Sequence, residues 1–390
     1  MIPYADLTYW GLLLYPTLPT FVFAWGRRLR QTWIIVATLV MLAVQYSTEQ
    51  TVGNTAVREV WLVIAVAAFE YLVGVGFLVL RQRTELRCLF WLALGLGLVP
   101  LVGARTLPAI APAYAAGFLG ISYLTFRALD VTIGIQDRRI LELPLPTYLT
   151  YLLFFPTISS GPIDRYRRFE SDWMRSRSGR DFIQDLDGAV HRIFTGFLYK
   201  FVLAELIRSH WLEPAASLPG PLGTAAYMYA YSLYLFFDFA GYTAFAVGIS
   251  YLFGIHTPEN FHRPFIARDI RDFWNRWNMS LSFWLRDHVY MRFVMAATRG
   301  RWFSSRYTAS YLGFGLSMGL MGLWHGFAVH YLVYGLYHAV LLIGHDLFTR
   351  WNNVHRAWGN TPLWRLAGIL VTSQFVCFGF LIFSGHLFSS

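Results

Sequence analysis

One histidine of this chain stands in an apolar segment long enough to lie in a membrane. His325 belongs to residues 318–327, which read MGLMGLWHGF and include no acidic residue, lysine or arginine. Ionisable side chains are rare at membrane depth, and a functional site is the first hypothesis for one. A neutral imidazole can remove a proton from a hydroxyl group near neutral pH. A structural histidine that bonds a neighbouring helix explains this segment equally well, so the rest of the chain must decide.

The residues before His325 predict close helix packing around it. Met321 and Met318 lie one and two helical turns before the histidine, and their thioether side chains provide soft apolar surroundings. Glycines recur three or four residues apart and should share one helical face that admits a neighbouring helix. These glycines are Gly315, Gly319, Gly322 and Gly326.

A second polar element lies upstream, between residues 263 and 301. Its apolar side chains recur at helical spacing and are Phe273, Trp274, Trp277, Leu281, Trp284 and Leu285. The opposite, polar stripe contains Arg271, Asn275, Asn278 and Ser282. This pattern predicts an amphipathic helix or helix pair. A helix in the plane of the membrane interface and an inserted element facing a watery cavity fit it equally well.

The composition predicts an all-α, polytopic membrane protein. Hydrophobic residues make up 56% of the chain and charged residues only 14%. At roughly 17–25 apolar residues per crossing, we predict about 11 transmembrane helices plus re-entrant or amphipathic helices. The spans that can be delimited lie near residues 8–26, 32–47, 59–80, 88–104, 110–128, 190–211, 224–253, 307–326, 328–347 and 366–387. We expect segment 224–253 to be too interrupted for one simple span.

The positive charge is explained by membrane topology rather than by a nucleic-acid site. The formal net charge is +10, and all the basic residues except Lys200 are arginines. The arginines cluster in short loops between apolar segments, as cytoplasmic loops require. No aromatic-basic binding module is present, so we expect no nucleic-acid partner.

Other site classes lack their motifs here. The sequence contains no HExxH and no phosphate-cradling glycine loop, and its two cysteines, Cys88 and Cys377, lie far apart. We therefore predict no metal site.

Pro156, Gly161 and Pro162 should interrupt a helix near residues 147–156. We interpret Arg127 and Asp238 as a buried ion pair that sets helix register. The remaining candidates are His325, the interrupted segment and the polar stripe that contains Asn278. Together they suit general-base chemistry on a hydroxyl group shielded from water.

Five segments, taken in order, resemble the membrane-bound O-acyltransferase family. They read FLGISYLTFR, SSGPIDR, FFDFAGY, RPFIARDIRDFWNRWNMSLSFWLRD and MGLWHG. The resemblance is strongest to the members that transfer D-alanine in the teichoic-acid pathway. It implies a ring of membrane helices around a thin central partition. His325 corresponds to the invariant family histidine, whereas a second family histidine is replaced here by Asn278.

The resemblance also implies a reaction. D-alanine would arrive as a thioester on the phosphopantetheine arm of a small acidic carrier protein on the cytoplasmic side, and no cofactor would be permanently bound. It would pass to a hydroxyl group and finally to teichoic or lipoteichoic acid, with an accessory membrane protein as a further partner. His325 would act as the base, and Asn278, Trp324 and Ser282 would position the arm. The resemblance implies a multi-pass protein in the plasma membrane of a Gram-positive bacterium, in contact with membrane lipids.

A docking surface for the carrier is expected where arginines flank an apolar patch. This predicted docking helix contains Arg292, Phe293, Val294 and Met295. Membrane topology alone explains its arginines equally well.

The domain organisation and two alternatives complete the predictions. We predict one membrane domain over residues 1–390, with N-terminal spans in 1–115, a motif-bearing catalytic core in 116–345 and a last span in 346–390. One alternative function is O-acetylation of an extracellular polysaccharide of the alginate type. The other is a proton-coupled transporter or flippase in which His325 relays protons.

Overall fold

The computed structural model describes residues 2–5, 7–23, 26–52, 55–114, 116–359 and 361–388. The chain forms two compact units. The first contains residues 1–195 and 242–258, and the second contains residues 196–241 and 259–390. The single membrane domain over residues 1–390 stays a prediction.

Among the residues that the structure describes, the regular secondary structure of the first unit is helical apart from one short hairpin. Its helices are α1 (Leu7–Thr17), α2 (Thr20–Phe23), α3 (Arg27–Gln45), α4 (Glu59–Arg83), α5 (Arg87–Ile110), α6 (Ile121–Gln136), α7 (Leu145–Leu153), α8 (Tyr166–Met174) and most of α9 (Gly179–Phe197). A 3₁₀ turn covers Pro112–Tyr114. Strands β1 (Glu49–Val52) and β2 (Thr55–Arg58) pair antiparallel, with Glu49 opposite Arg58. The hairpin was not predicted, but the all-α fold class is confirmed.

The second unit carries the motifs around His325. Its helices are α10 (Glu205–Ile207), α11 (Glu213–Ala216), the first part of α12 (Gly220–Leu252), α13 (Ile270–Trp274), α14 (Met279–Leu285), α15 (Met291–Arg299), α16 (Arg306–His325), α17 (Val329–His355) and α18 (Pro362–Phe383). Three π-helical turns cover Leu198–Ala204, Arg208–Leu212 and Arg286–Tyr290, and 3₁₀ turns cover Pro264–Ile266 and His386–Phe388.

Five helices of the described residues are long and apolar enough to cross a membrane, namely α4, α5, α12, α17 and α18. Two predicted spans do not form single helices. In residues 8–26, α1 ends at Thr17 and α2 begins at Thr20. Residues 110–128 do not form a single helix, because α5 ends at Ile110 and α6 begins only at Ile121. Gly120 marks the break: its φ is +97°, and a Cβ there would lie 2.1 Å from the carbonyl oxygen of Ile158. Only glycine satisfies both constraints at this position.

Helix α12 corrects the prediction that segment 224–253 is interrupted. It runs for 33 residues from Gly220 to Leu252. Gly241 lies inside this helix and does not break it. A Cβ at this position would lie 2.8 Å from the backbone nitrogen of Lys200. The glycine instead admits a close backbone approach. Lys200 also balances the charge of Asp238, because its Nζ lies 2.5 Å from the Asp238 Oδ1.

The predicted ion pair between Arg127 and Asp238 is wrong, because both side chains have other partners. Arg127 is 1% exposed in α6. Its guanidinium donates to the carbonyl oxygens of Tyr151 (3.0 Å), Leu152 (3.1 Å) and Thr157 (2.9 Å). These carbonyls lie at the end of α7 and just beyond it, where helical partners run out. A fork of fixed N–H donors can satisfy several of them at once.

The predicted break after residues 147–156 is confirmed. Helix α7 ends at Leu153, and the next helix, α8, begins at Tyr166. The intervening backbone includes Pro156, Gly161 and Pro162, and Gly161 has a φ of +81°. It is almost entirely buried in protein, which is the condition under which irregular backbone is tolerated at membrane depth.

Candidate active site

The hairpin of α16 and α17 positions His325. Gly322 and Gly335 make this hairpin tight: a Cβ at Gly322 would lie 2.3 Å from the Tyr331 carbonyl oxygen, and one at Gly335 would lie 2.2 Å from the Met318 carbonyl oxygen. The predicted glycine face is therefore only partly right. Gly322 makes the contact, and its counterpart comes from the opposite helix.

Two other glycines of the predicted face do not pack closely. A Cβ at Gly315 or Gly319 would have no atom of a neighbouring element within 4 Å. Their spacing matches that of Gly322, but helical periodicity identifies a face without specifying how far along it the neighbouring helix makes contact. Only the register between α16 and α17 determines that.

The imidazole of His325 is enclosed by aromatic rings. His325 is the last residue of α16 and is half-buried. Its ring centroid lies 4.5 Å from that of Trp324, 4.8 Å from that of Phe383 and 5.9 Å from that of Tyr331. The first two contacts are edge-on, an arrangement that aromatic pairs favour. The aromatic neighbours restrict the orientations of the imidazole.

The predicted amphipathic segment is a helix pair with a sharp break. Asp269 begins α13 by accepting hydrogen bonds from the backbone nitrogens of Arg271 and Asp272, both at 2.8 Å. Helix α13 ends at Trp274, and α14 begins after Asn278. Asn278 has a φ of +41°, a left-handed conformation that asparagine tolerates better than most residues. The break turns Asn278 inward, where it is 5% exposed.

Asn260 holds the start of α14 in place and was missed from the sequence. Its carbonyl oxygen accepts from the Met279 nitrogen at 3.0 Å, and its Oδ1 accepts from the Ser280 nitrogen at 3.3 Å. Asn260 is fully buried. These bonds satisfy two of the amide groups that a helix start leaves unpaired. No motif around residue 260 signals this role, because it depends on a tertiary contact.

One cavity brings the two principal predicted site residues together. It has a volume of about 50 Å³, and its walls are mainly aromatic and aliphatic. The lining residues are Leu235, Phe239, Trp274, Trp277, Asn278, Leu281, Met321, His325, Tyr334, Phe380 and Phe383. His325 supplies a titratable group and Asn278 an amide, within mainly apolar surroundings. A small number of convergent polar groups in an apolar pocket is typical of a binding or active site.

The other predicted positioning residues lie beside the cavity rather than in its lining. Trp324 contacts the His325 ring. Ser282 donates its hydroxyl to the Trp277 carbonyl oxygen at 3.0 Å, and its amide donates to the Asn278 carbonyl oxygen at 2.9 Å. Ser282 therefore stabilises the turn that carries Trp277 and Asn278. Tyr334, which the sequence did not single out, is part of the lining.

A family model described as MBOAT, membrane-bound O-acyltransferase family, matches residues 33–384. The chain belongs to the membrane-bound O-acyltransferase family. It is therefore an acyltransferase and a multi-pass membrane protein.

This O-acyltransferase has relatives that match along its whole length. It is 41% identical over 400 residues to the teichoic acid D-alanyltransferase of Bacillus subtilis, covering 100% of this chain and 99% of the relative. It is 37% identical over 403 residues to the teichoic acid D-alanyltransferase of Streptococcus thermophilus, covering 99% and 95%. A probable alginate O-acetylase of Pseudomonas syringae is 28% identical over 276 residues, covering 67% of this chain and 48% of that protein.

The predicted docking residues of this O-acyltransferase lie together on α15. Arg292, Phe293 and Val294 are partly exposed, and Met295 is 43% exposed. The Phe293 ring lies 6.0 Å from that of Trp302, and α15 packs against α16. The helix thus joins an accessible surface to the helix that carries His325. Carrier docking on it stays a prediction.

A charged network in the first unit of the O-acyltransferase surrounds His256. The His256 Nε2 lies 2.7 Å from Asp185 Oδ1, and its Nδ1 lies 3.5 Å from Asp172 Oδ1. Hydrogen bonds to Asp172 and Asp185 raise the pKa of His256 to about 9, against the opposing effect of burial. Burial works to raise the pKa of Asp172, but hydrogen bonds from His256 hold that pKa below its usual value. The network carries charge at neutral pH and is remote in sequence from the His325 motif.

Proposed function

We propose that this O-acyltransferase transfers D-alanine from a carrier-protein thioester to a hydroxyl group of teichoic acid, with His325 as the general base. The full-length relatives named as teichoic acid D-alanyltransferases support the acyl group and the acceptor. The observation that carries the site assignment is the shared cavity of His325 and Asn278.

The apolar walls of the cavity suit a base that must stay neutral. A neutral imidazole can accept a proton from a hydroxyl group near neutral pH, so His325 would enter the reaction in that form. Mainly apolar walls also keep out water, which would otherwise compete with the acceptor for the thioester. A positioned general base typically accelerates such a transfer by a factor of roughly 10²–10⁴.

The proposed step transfers an acyl group from sulfur to oxygen. The acceptor hydroxyl oxygen attacks the thioester carbonyl carbon while His325 takes the hydroxyl proton. The new C–O bond forms the D-alanyl ester, the C–S bond breaks, and His325 returns the proton to the departing sulfur, which leaves as a thiol. The Asn278 amide is suited to donate a hydrogen bond to the carbonyl oxygen, where negative charge develops.

The donor side is proposed from charge and exposure. The carrier is a small acidic protein whose phosphopantetheine arm carries the D-alanyl thioester. Its acidic surface would meet the arginines on and around α15, while its apolar residues would meet Met295. The arginines in this part of the chain are Arg286, Arg292, Arg299, Arg301 and Arg306. An accessory membrane protein of the same pathway is a further proposed partner, and the plasma membrane of a Gram-positive bacterium is the proposed location.

Reconstituted transfer tests the proposal. The full-length protein in proteoliposomes would receive carrier loaded with labelled D-alanine, lipoteichoic acid and the accessory proteins of the pathway. We expect labelled ester in the polymer, and we expect His325→Ala to lower the rate by a factor of roughly 10²–10⁴.

His355→Ala is the matched control for this experiment. His355 also lies on a hairpin helix beside an aromatic ring, 4.8 Å from Trp351, but at the opposite end of α17. It should transfer at the wild-type rate. Full activity of His325→Ala would exclude His325 as the base, and failure of the wild type to transfer D-alanine would exclude the proposed function.

The alginate O-acetylase relative supports a second candidate, acetyl transfer to a polysaccharide. It is weaker, because the match leaves about a third of this chain and half of that relative uncovered. Supplying an acetyl donor and a polysaccharide to the same proteoliposomes separates the two. Acetyl transfer without D-alanyl transfer would favour the second candidate.

A further inference from the structure

Five aromatic and imidazole side chains of the second unit form a separate surface outside the cavity. We call this surface the ring wall, and its members are Tyr227, Tyr231, His330, Tyr331 and His386. All five side chains are half-buried, so each ring combines a packed part with an accessible part. None of these residues lines the cavity of His325, and the proposed transfer step does not use them.

Three rings of the wall are stacked in a column. Tyr231 and Tyr227 have ring centroids 5.7 Å apart and planes inclined by 12°. Tyr227 and His386 have centroids 4.1 Å apart and planes inclined by 16°. Because His386 follows α18 and the tyrosines lie on α12, the column is assembled from two separate helices. It brings two phenol rings and one imidazole together in one stack.

The wall reaches the cavity through Tyr331. The centroid of the Tyr331 ring lies 5.9 Å from that of His325 and 4.1 Å from that of His330. A Cβ built on Gly385 would lie 3.4 Å from the His330 ring. His330 therefore lies against the residue that precedes His386. Tyr331, His330 and Gly385 thus connect the proposed base to the column within the second unit.

The wall lies at one end of the helices that carry it. His325 ends α16, His330 is in the first turn of α17, and His386 follows α18. The opposite ends of these three helices carry Arg306, Arg350, Arg356 and Arg365. Since arginine-rich ends stay in the cytoplasm, the wall faces the outer side, from which an extracellular acceptor would approach.

The chemistry of the wall indicates a ligand rich in hydroxyl groups. Tyrosine and histidine rings offer apolar faces to C–H groups, and their O–H and ring nitrogens bond hydroxyls as donors or acceptors. Such rings lose little conformational entropy when they bind, because each has only two rotatable bonds. The wall contains no arginine or lysine, which are the side chains that most directly bind phosphate. It therefore suits the polyol part of a polyol phosphate better than its phosphate groups.

We infer that the ring wall binds the polyhydroxylated acceptor chain and guides one of its hydroxyl groups past Tyr331 to His325. This inference rests on the proposed transfer to teichoic acid and assigns its acceptor subsite. The column holds several polyol units of the chain, and the unit nearest Tyr331 is the one that receives the acyl group.

Binding and kinetics together test the inference. The full-length protein in nanodiscs would be titrated with poly(glycerol phosphate) oligomers by calorimetry, and transfer would be measured in proteoliposomes. For Tyr227→Ala and His386→Ala we expect the Kd for the oligomer and the KM for the acceptor to rise at least tenfold. The KM for loaded carrier and the kcat at saturating acceptor should stay at wild-type values. Tyr227→Phe, which keeps the stacked ring, should lose less affinity than Tyr227→Ala.

Matched controls come from the other end of α17. Trp351→Ala and His355→Ala remove a comparable aromatic–imidazole stack, with centroids 4.8 Å apart and planes inclined by 20°. They should leave the oligomer Kd unchanged. No measurable binding by the wild type, or equal Kd values for wild type, wall variants and controls, would overturn the inference. If the alanine variants do not fold, Tyr227→Phe and His386→Phe provide the comparison.

Two further arms separate the possible failures. If the wild type binds oligomers through the wall but does not transfer D-alanine, the proposed function fails and the wall stands only as a polyol-binding site. If it transfers D-alanine and the wall variants keep the wild-type acceptor KM, only the subsite fails. Phosphatidylglycerol vesicles provide the same headgroup chemistry from a lipid, and wall-dependent binding to vesicles but not to oligomers would reject an acceptor subsite.

Discussion

Lys200 contacts Asp238, with 2.5 Å between Nζ and Oδ1. Lys200 is the only lysine of the chain, and it lies in the π-helical turn Leu198–Ala204. Asp238 lies in the middle of α12, which is apolar enough to cross a membrane. Each charge balances the other in a segment where an unpaired charge is unfavourable. The pair therefore holds the π-helical turn against α12.

Removing either partner should destabilise the protein more than removing both. Lys200→Met and Asp238→Leu each leave one charge without its partner, whereas the double variant leaves none. We expect a coupling of about 1 kcal/mol in a double-mutant cycle of thermal or denaturant unfolding in detergent. The exposed pair Glu205 and Arg208 is the control and should show no measurable coupling. Strict additivity of the Lys200 and Asp238 variants would show that the contact does not stabilise the fold.

Methyl groups added to the α16–α17 hairpin should have opposite effects at different glycines. At Gly322 a Cβ would lie 2.3 Å from a backbone oxygen, so Gly322→Ala should destabilise by roughly 1–3 kcal/mol through overpacking. At Gly319 nothing lies within 4 Å, so Gly319→Ala should stabilise by about 0.5–1 kcal/mol through helix propensity. Unfolding midpoints in detergent measure both. A Gly322→Ala protein as stable as the wild type would contradict the close approach of the two helices.

Substitution of Asn278 tests backbone conformation and chemistry separately. Asn278→His should fold and keep transfer within about tenfold of wild type, because histidine also tolerates a positive φ and can bond a carbonyl. Asn278→Val should lose both stability and transfer, because a β-branched side chain is strained in the left-handed region. Melting curves and transfer rates together distinguish these effects. A well-folded but inactive Asn278→His protein would show that this active site requires the amide itself.

The pH dependence of stability should depend on His256. Its pKa is about 9 in the folded protein and about 6.5 in an unfolded chain. The folded state therefore binds the proton more tightly, so this contribution to stability is fully present below about pH 6.5 and lost as pH rises through about 9. Unfolding midpoints between pH 6 and 10 should fall less steeply for His256→Gln than for wild type. His191, which is mostly exposed beside Asp187, provides a control: His191→Gln should follow the wild-type curve. Identical slopes for His256→Gln and wild type would exclude the network from the pH response.

Several features were predictable because they depend only on local composition and spacing. The excess of apolar residues indicates a membrane fold, and Pro156, Gly161 and Pro162 close together interrupt a helix after α7. The motif around His325 and the amphipathic segment around Asn278 have a residue order that is itself distinctive. The family therefore follows from the sequence alone, and His325 and Asn278 stay predictions as site residues.

The remaining features required the tertiary structure. The sequence suggested Asp238 as a partner for Arg127, but it does not reveal which groups a buried charge meets after folding. It also identified a row of glycines, although only the register of α16 against α17 selects Gly322. Asn260 and the ring wall carry no local signal, because their contacts join residues from separate helices. Residue types and spacing determined which chemistry was available. Helix packing decided which groups meet, because contacts between separate helices depend on their register, which no single segment of sequence contains.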